Sequence, residues 1–327
     1  MRIFLAVLLC CAAFAQTADT PKVNWILNYP HAVIDLDKTV AFYRDVIGLE
    51  FNRPPADFPN PGVAKLVNSP GVKLRLAMFK VPGAKYNLEL TQFSAADRKA
   101  AQPMLTDPGA ASLEFRVRDI EPILAALKKS GAPVITRSGK PVRVDGPDDK
   151  SLSIMVRDPD GYPVEVIQAP PLADAPEGNV HGVTMELTVE NLEATQKFYQ
   201  EMMGFELKGD LKFSKSAAVT ALIGAPAETE FRELDGVVPG TNARISFYEY
   251  KGVPRKKFHL RVFDPGAPAL VIRVTDLDAM LARLKTIGTE VLSAEGKTVQ
   301  FGPTVRNIFV VDPNGLNLEL YEDTSKR

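Results

Sequence analysis

Three glutamates occupy the same kind of place. Leu88-Glu89-Leu90, Val164-Glu165-Val166 and Leu318-Glu319-Leu320 each set an acid between two apolar residues. On a strand, the acid and its neighbours point to opposite faces. A glutamate on a face shielded from water can hold a hard cation or take a proton beside a carbonyl, and Glu165 is the candidate general base. Other strands alternate likewise. Ser112, Glu114 and Arg116 oppose Leu113, Phe115 and Val117, and Thr184, Glu186 and Thr188 oppose Val183, Met185, Leu187 and Val189. Arg116, Arg244 and Arg273 supply forks suited to carboxylate or phosphate, with Tyr248 and Tyr321 beside them. The candidate binding set for a small polar or anionic molecule is therefore Ser112, Glu114, Arg116, Thr184, Glu186, Arg244, Tyr248, Arg273 and Tyr321. The competing reading pairs each arginine with a nearby glutamate as structure.

Other chemistries lack their residues. The histidines, His31, His181 and His259, show no H-x-H or H-x-x-x-H spacing. No nucleophile elbow, P-loop or dinucleotide fingerprint occurs. A net charge of −1 and a pI near 6.4 give no basic surplus for nucleic acid or an anionic membrane.

The N-terminus is read separately. Arg2, an apolar run from Ile3 to Ala15 and the small-residue site Ala13-Phe14-Ala15 make residues 1–18 a secretory signal peptide cleaved near 15–18. The mature protein is expected in the periplasm or outside the cell, with no membrane segment after signal removal. Cys10 and Cys11 both fall in the leader, so the mature chain has neither disulfide nor thiolate.

These residues need elements to position them, and the elements come in repeats. DLDKTVAFYRDVIGLEF from Asp35 returns 156 positions later as NLEATQKFYQEMMGFEL from Asn191. VRDIEPILAALKKSGAPVI from Val117 returns as VTDLDAMLARLKTIGTEVL from Val274, and RDPDGYPVEVIQ from Arg157 as VDPNGLNLELYE from Val311. Each phrase parses as a strand running into Val-x-Asp, a helix capped by that Asp or Asn, a stopping glycine, further strands and a final alternating strand. Four βαβββ modules result. A Pro- and Ala-rich linker over residues 168–179 separates the pairs.

The FY-x-x-x-x-G phrase, with a DP[DN]G turn before a last strand, resembles the vicinal oxygen chelate superfamily of glyoxalase I, bleomycin-resistance proteins and extradiol dioxygenases. The resemblance covers residues 24–323. It implies an α+β fold of tandem glyoxalase/bleomycin-resistance-like domains. Each domain would join two βαβββ modules into a cup-shaped mixed β-sheet with helices outside, over residues 24–170 and 179–323. Modules one and two are expected to close the first cup, and modules three and four the second. With both pairings satisfied inside one chain, a monomer is expected.

The resemblance also implies a divalent metal held by His or Gln on the first strands and Glu on the last. The matching positions here are Asn28, Ser112, Thr184 and Ala269 on first strands, and Glu89, Ser246, Glu165 and Glu319 on last strands. None of the first-strand residues is an imidazole. Asn28, Glu89, Glu165 and Glu319 are thus weak metal candidates, joined by His31 only if Pro30 bulges its strand and turns the ring inward. The cofactor expectation is a weakly held divalent metal or none. Without two histidines and a carboxylate, extradiol ring cleavage is disfavoured. Two readings stand: an exported small-molecule-binding protein with degenerate metal positions, and a metal-assisted lyase, isomerase or dioxygenase-type enzyme with a carboxylate-rich site in the first domain.

Overall fold

The computed structural model describes residues 21–94, 97–146, 149–171 and 175–326. The expected leader lies outside the described residues, as does the linker over 172–174. Module one comprises β1 (Val23–Ala32), α1 (Leu36–Ala41), β2 (Phe51–Asp57), α2 (Gly62–Leu66), β3 (Leu74–Lys80) and β4 (Asn87–Phe93). Module two comprises β5 (Ala111–Val117), α3 (Glu121–Ser130), β6 (Val142–Gly146), β7 (Asp149–Arg157) and β8 (Pro163–Gln168). Module three contains β9 (Val180–Thr188), α4 (Leu192–Lys197), β10 (Glu206–Lys208), α5 (Ala217–Leu222), β11 (Glu230–Val237) and β12 (Arg244–Lys251). Module four contains β13 (Ala269–Val274), α6 (Leu277–Thr286), β14 (Val299–Gln300), β15 (Val305–Val311) and β16 (Asn317–Asp323).

Local chemistry explains the helices. Asp35, Asn191 and Asp276 cap α1, α4 and α6 by accepting from the N–H three residues on. Module two differs: Asp119 accepts from Glu121 N–H at 3.0 Å, and Ile120 takes the cap position of α3 without a side-chain bond. Pro122 in the first turn has no N–H to satisfy, so the missing cap costs little. The end of a last strand ties down three of these helices. Gln92, Gln168 and Glu249 accept from the N–H groups of Leu36, Ile120 and Leu192. The Phe-Tyr pairs of the repeated phrase lie on π-helical turns, Phe42–Ile47 and Phe198–Met202.

The strands form two eight-stranded sheets, ordered β14-β15-β16-β13-β1-β4-β3-β2 and β10-β11-β12-β9-β5-β8-β7-β6. Modules one and two therefore do not close a cup together, nor do modules three and four, contrary to the sequence expectation. Module one pairs with module four through antiparallel β1 and β13, and module two with module three through antiparallel β5 and β9. Four backbone hydrogen bonds secure this interleaving. Gly109 N–H donates to Thr188 O and Thr188 N–H to Ala110 O, both at 2.8 Å; Gly266 N–H donates to Ala32 O and Ala32 N–H to Ala267 O, at 2.8 and 3.0 Å. The glycines belong to a further repeat, Asp107-Pro-Gly-Ala and Asp264-Pro-Gly-Ala. Gly109 is obligatory: its φ is +98°, and a Cβ there would stand 2.3 Å from Phe258 O.

Side-chain alternation holds. Leu113, Phe115, Val117, Val183, Met185, Leu187 and Val189 are buried in one continuous core beneath the helices. Their polar neighbours Ser112, Glu114, Arg116, Glu186 and Thr188 turn into the cup of modules two and three.

Candidate functional site

The cup of modules two and three encloses about 540 Å³. Its floor is the seam between β5 and β9, where Ser112 lies opposite Glu186 and Glu114 opposite Thr184; β8 adds Glu165 beside Glu114. Carboxylate oxygens of Glu114, Glu165 and Glu186 lie within 4.8 Å of one another. A hydroxyl orients each. Ser112 Oγ donates to Glu186 and Ser153 Oγ to Glu165, both at 2.6 Å, and Thr184 Oγ1 donates to Glu114 at 3.0 Å. Arg116 stands 3.6 Å from Glu114.

Burial holds the Glu165 and Glu186 carboxyls well above the ordinary carboxylate range. Neighbouring charge adds to the effect: Glu114 presses on Glu165, and Glu165 and Glu114 on Glu186. Glu233 is also raised, by burial and then by Asp235. Tyr248 and Tyr250 stack with centroids 6.2 Å apart and complete the wall. Glu233, Asp235, Tyr250 and Ser153 escaped the sequence reading. Alternation along FRELDGV and SLSIM would have found Glu233, Asp235 and Ser153 had the middle strands been parsed, and the step of two from Tyr248 would have found Tyr250.

This lining corrects the expectation of an anionic ligand. Five acids face one cation, Arg116, among the described residues of the cavity wall. The other candidates for anion binding lie elsewhere. Arg244 is exposed at the start of β12, and Arg273 bonds Asn24 at 2.9 Å and lies over the Trp25 ring. Tyr321 lies two residues beyond Glu319 on β16, outside both cavity walls.

The cup of modules one and four encloses about 310 Å³. It contains Asn28, Glu89 and Glu319, so the expected pairing of Glu89 with Glu165 in one cup fails: interleaving sends them to different sheets. Asn28 Nδ2 donates to Glu89 at 2.5 Å, and Asn307 Nδ2 donates to Glu319. Burial, and then Glu319, pushes the Glu89 carboxyl to about 8. Burial pushes Glu319 to about 7 against the Asn307 bond.

Neither cup acquires an imidazole ligand of the expected kind. The register of β1 on β4 runs unbroken from Asn28 to Ala32, so Pro30 makes no bulge there and His31 turns to the helix side. Its ring stacks on Tyr162 at 4.4 Å and lies 3.4 Å from Asp158. The His181 ring meets Ala169 O, and the His259 ring meets Gly315 O.

The donor sets decide what each cup can hold. Three carboxylates with hydroxyls in modules two and three suit a hard cation, Mg²⁺ or Ca²⁺, and do not suit metals that favour nitrogen. In modules one and four, amide N–H groups already occupy the carboxyls and most of the remaining wall is apolar, a poor nest for any cation.

The sequence pattern of the Glyoxalase/Bleomycin resistance protein/Dioxygenase superfamily matches residues 22–166 and 181–320. The chain belongs to that superfamily. Among solved structures, glyoxalase I from Zea mays is similar over 94% of each chain, with 21% identity and a TM-score of 0.61. A putative dioxygenase from Bacillus subtilis subsp. subtilis str. 168 is similar over 93% of this chain and 86% of its own, with 15% identity and a TM-score of 0.54. At these identities the likeness establishes the fold alone. No curated protein sequence matches this one. Within the superfamily, then, this member carries the cup architecture with a carboxylate cluster in one cup and an apolar pocket in the other.

Proposed function

We propose that this superfamily member works through the cup of modules two and three, binding a small, donor-rich or positively charged molecule or a hard divalent cation. The observation that carries the reading is the convergence of Glu114, Glu165 and Glu186 within 4.8 Å, each oriented by a hydroxyl. Three acids so close, two of them buried and Glu114 partly so, repel one another, and a positive or donating guest relieves that repulsion. Mg²⁺ or Ca²⁺ held there would supply charge to polarise a ligand oxygen. Glu233 and Tyr248 stand in the same wall to receive the ligand's polar groups. The leader read from residues 1–18 supports export, and four modules completing both cups in one chain support a monomer.

The test is calorimetric titration of chelator-treated protein with CaCl₂ and MgCl₂, and with spermidine against succinate. Binding of a cation or of spermidine that weakens at least tenfold in Glu186→Gln, with succinate silent, is the expected result. Succinate binding, or no binding of any positive guest, overturns it.

A second reading is favoured by one observation: burial holds the Glu165 and Glu186 carboxyls above their ordinary range within 4.8 Å of each other, and Glu165 raises Glu186 further. Such a pair can move a proton to and from a carbon beside a carbonyl, with Glu165 as base. Solvent deuterium exchange into a bound hydroxyketone such as dihydroxyacetone, absent in Glu165→Gln, would establish it; no exchange above background would exclude it.

A further inference from the structure

We propose that the cup of modules one and four is a second binding site, which takes an uncharged, largely apolar molecule of one or two rings through a single hydroxyl or amide head. Its wall is formed by Leu74, Leu76, Met78, Val271, Phe301 and Phe309, together with α2. No lysine or arginine lines it among the described residues. At about 310 Å³ it has twice the volume of the ~150 Å³ apolar cavity that takes up benzene.

The cavity is built as an enclosure. Asn60 Nδ2 donates to Phe301 O at 3.3 Å and Ser293 Oγ to Leu66 O at 2.9 Å, which ties the α2 segment of module one to module four across the mouth. Gly62 packs so closely on the Phe301 ring that a Cβ would come within 2.9 Å of it. Modules one and four therefore line most of this cup with apolar side chains, and the Asn28–Glu89 and Asn307–Glu319 pairs form its polar end.

That polar end sets the ligand's head. Asn28 and Asn307 each commit an amide N–H to a carboxyl, Glu89 and Glu319. Each carboxyl keeps a further oxygen to give or accept one hydrogen bond with a guest. An anionic head would meet two acids with no cation in the wall. A cationic head would surrender its hydration to a pocket whose carboxyls already have amide partners. A hydroxyl or amide both donates and accepts, and the ring or chain behind it fills the apolar remainder.

Full-length mature protein titrated at neutral pH with 2-naphthol, 2-naphthoate and 2-naphthylmethylamine tests this. The expected result is 2-naphthol binding at least tenfold tighter than either charged analogue. It should weaken at least tenfold in Ala269→Leu, which narrows this cup, and persist in Val219→Trp, which fills the other. Thermal unfolding of both variants accompanies the titration, and Met78→Phe replaces Ala269→Leu if that variant melts early. Equal or tighter binding of a charged analogue overturns the proposal, as does absence of 2-naphthol binding or its loss in Val219→Trp alone.

Discussion

The Tyr43 hydroxyl donates to Asp158 Oδ2 at 3.2 Å across 115 residues of chain, and Tyr199 repeats the bond to Asp312 at 3.0 Å across 113. The two phrases that made the repeats visible thus meet each other in space. Asp158 Oδ1 accepts from the N–H groups of Asp160 and Tyr162, closing the DPDG turn, while Oδ2 takes the tyrosine; Asp312 does the same with Asn314 and Leu316. Thr39 bonds Asp160 and Thr195 bonds Asn314 alongside. Because modules one and two lie in different sheets, as do three and four, each clamp joins one sheet to the other.

Removing a clamp should be costly. Tyr43→Phe leaves a buried carboxyl short of a donor, and a loss of about 1–3 kcal/mol is expected in denaturant unfolding. Tyr199→Phe should cost a similar amount. A double-mutant cycle of Tyr43→Phe with Asp158→Asn should show coupling of about 0.5 kcal/mol or more. Strict additivity would reduce the clamp to incidental contact.

Stability should fall as pH rises through neutrality. Glu89 is held at about 8, and Glu319 and Asp158 at about 7, all by burial first. A carboxyl raised on folding binds a proton that the unfolded chain releases. Its contribution is complete below the unfolded value and is lost as pH climbs through the folded one. His31, lowered to about 4 by burial, acts in the opposite sense, but below its unfolded value of ~6.5. Between about pH 6.5 and 8.5 the carboxyls therefore act alone, each giving a slope of at most ~1.4 kcal/mol per pH unit. Urea unfolding in chelator across that range should show the decline, and Glu89→Gln should flatten part of it. Rising stability would mean these acids are ionised and paired.

Cation dependence should reverse the ranking of a variant. In chelator, Glu186→Gln relieves repulsion among three clustered acids, two of them buried, and is expected to match or exceed the parent by about 1 kcal/mol. With Ca²⁺ at a hundred times its dissociation constant the parent should gain ~2.7 kcal/mol and the variant little. Thermal melts in both buffers decide it; parallel shifts would remove the cation from the site.

Halving the chain should destroy both cups. A fragment of residues 22–170 carries four strands of each sheet, with β1 and β5 as open central edges. It is expected to dimerise or aggregate, and to be rescued by co-expression with residues 176–326. Light scattering showing a folded monomer would contradict the interleaved topology.

The sequence by itself determined the modules and their faces. Period-two alternation put Ser112, Glu114, Thr184, Glu186, Glu89, Glu165 and Glu319 on the side opposite the helices, because side-chain direction is a local property of a strand. It also put His31 on the helix side, against the alternative of a proline bulge. Tertiary structure alone decided which modules share a sheet. All four first strands have the same character, so pairing one with two and pairing one with four satisfy the same local pattern. The outcome rests on the Gly109 and Gly266 backbone bonds and on the tyrosine–aspartate clamps, contacts more than 75 residues apart in sequence. That choice separated Glu89 from Glu165 and gathered Glu114, Glu165 and Glu186. It turned two expected half-sites into one acidic cup and one apolar cup.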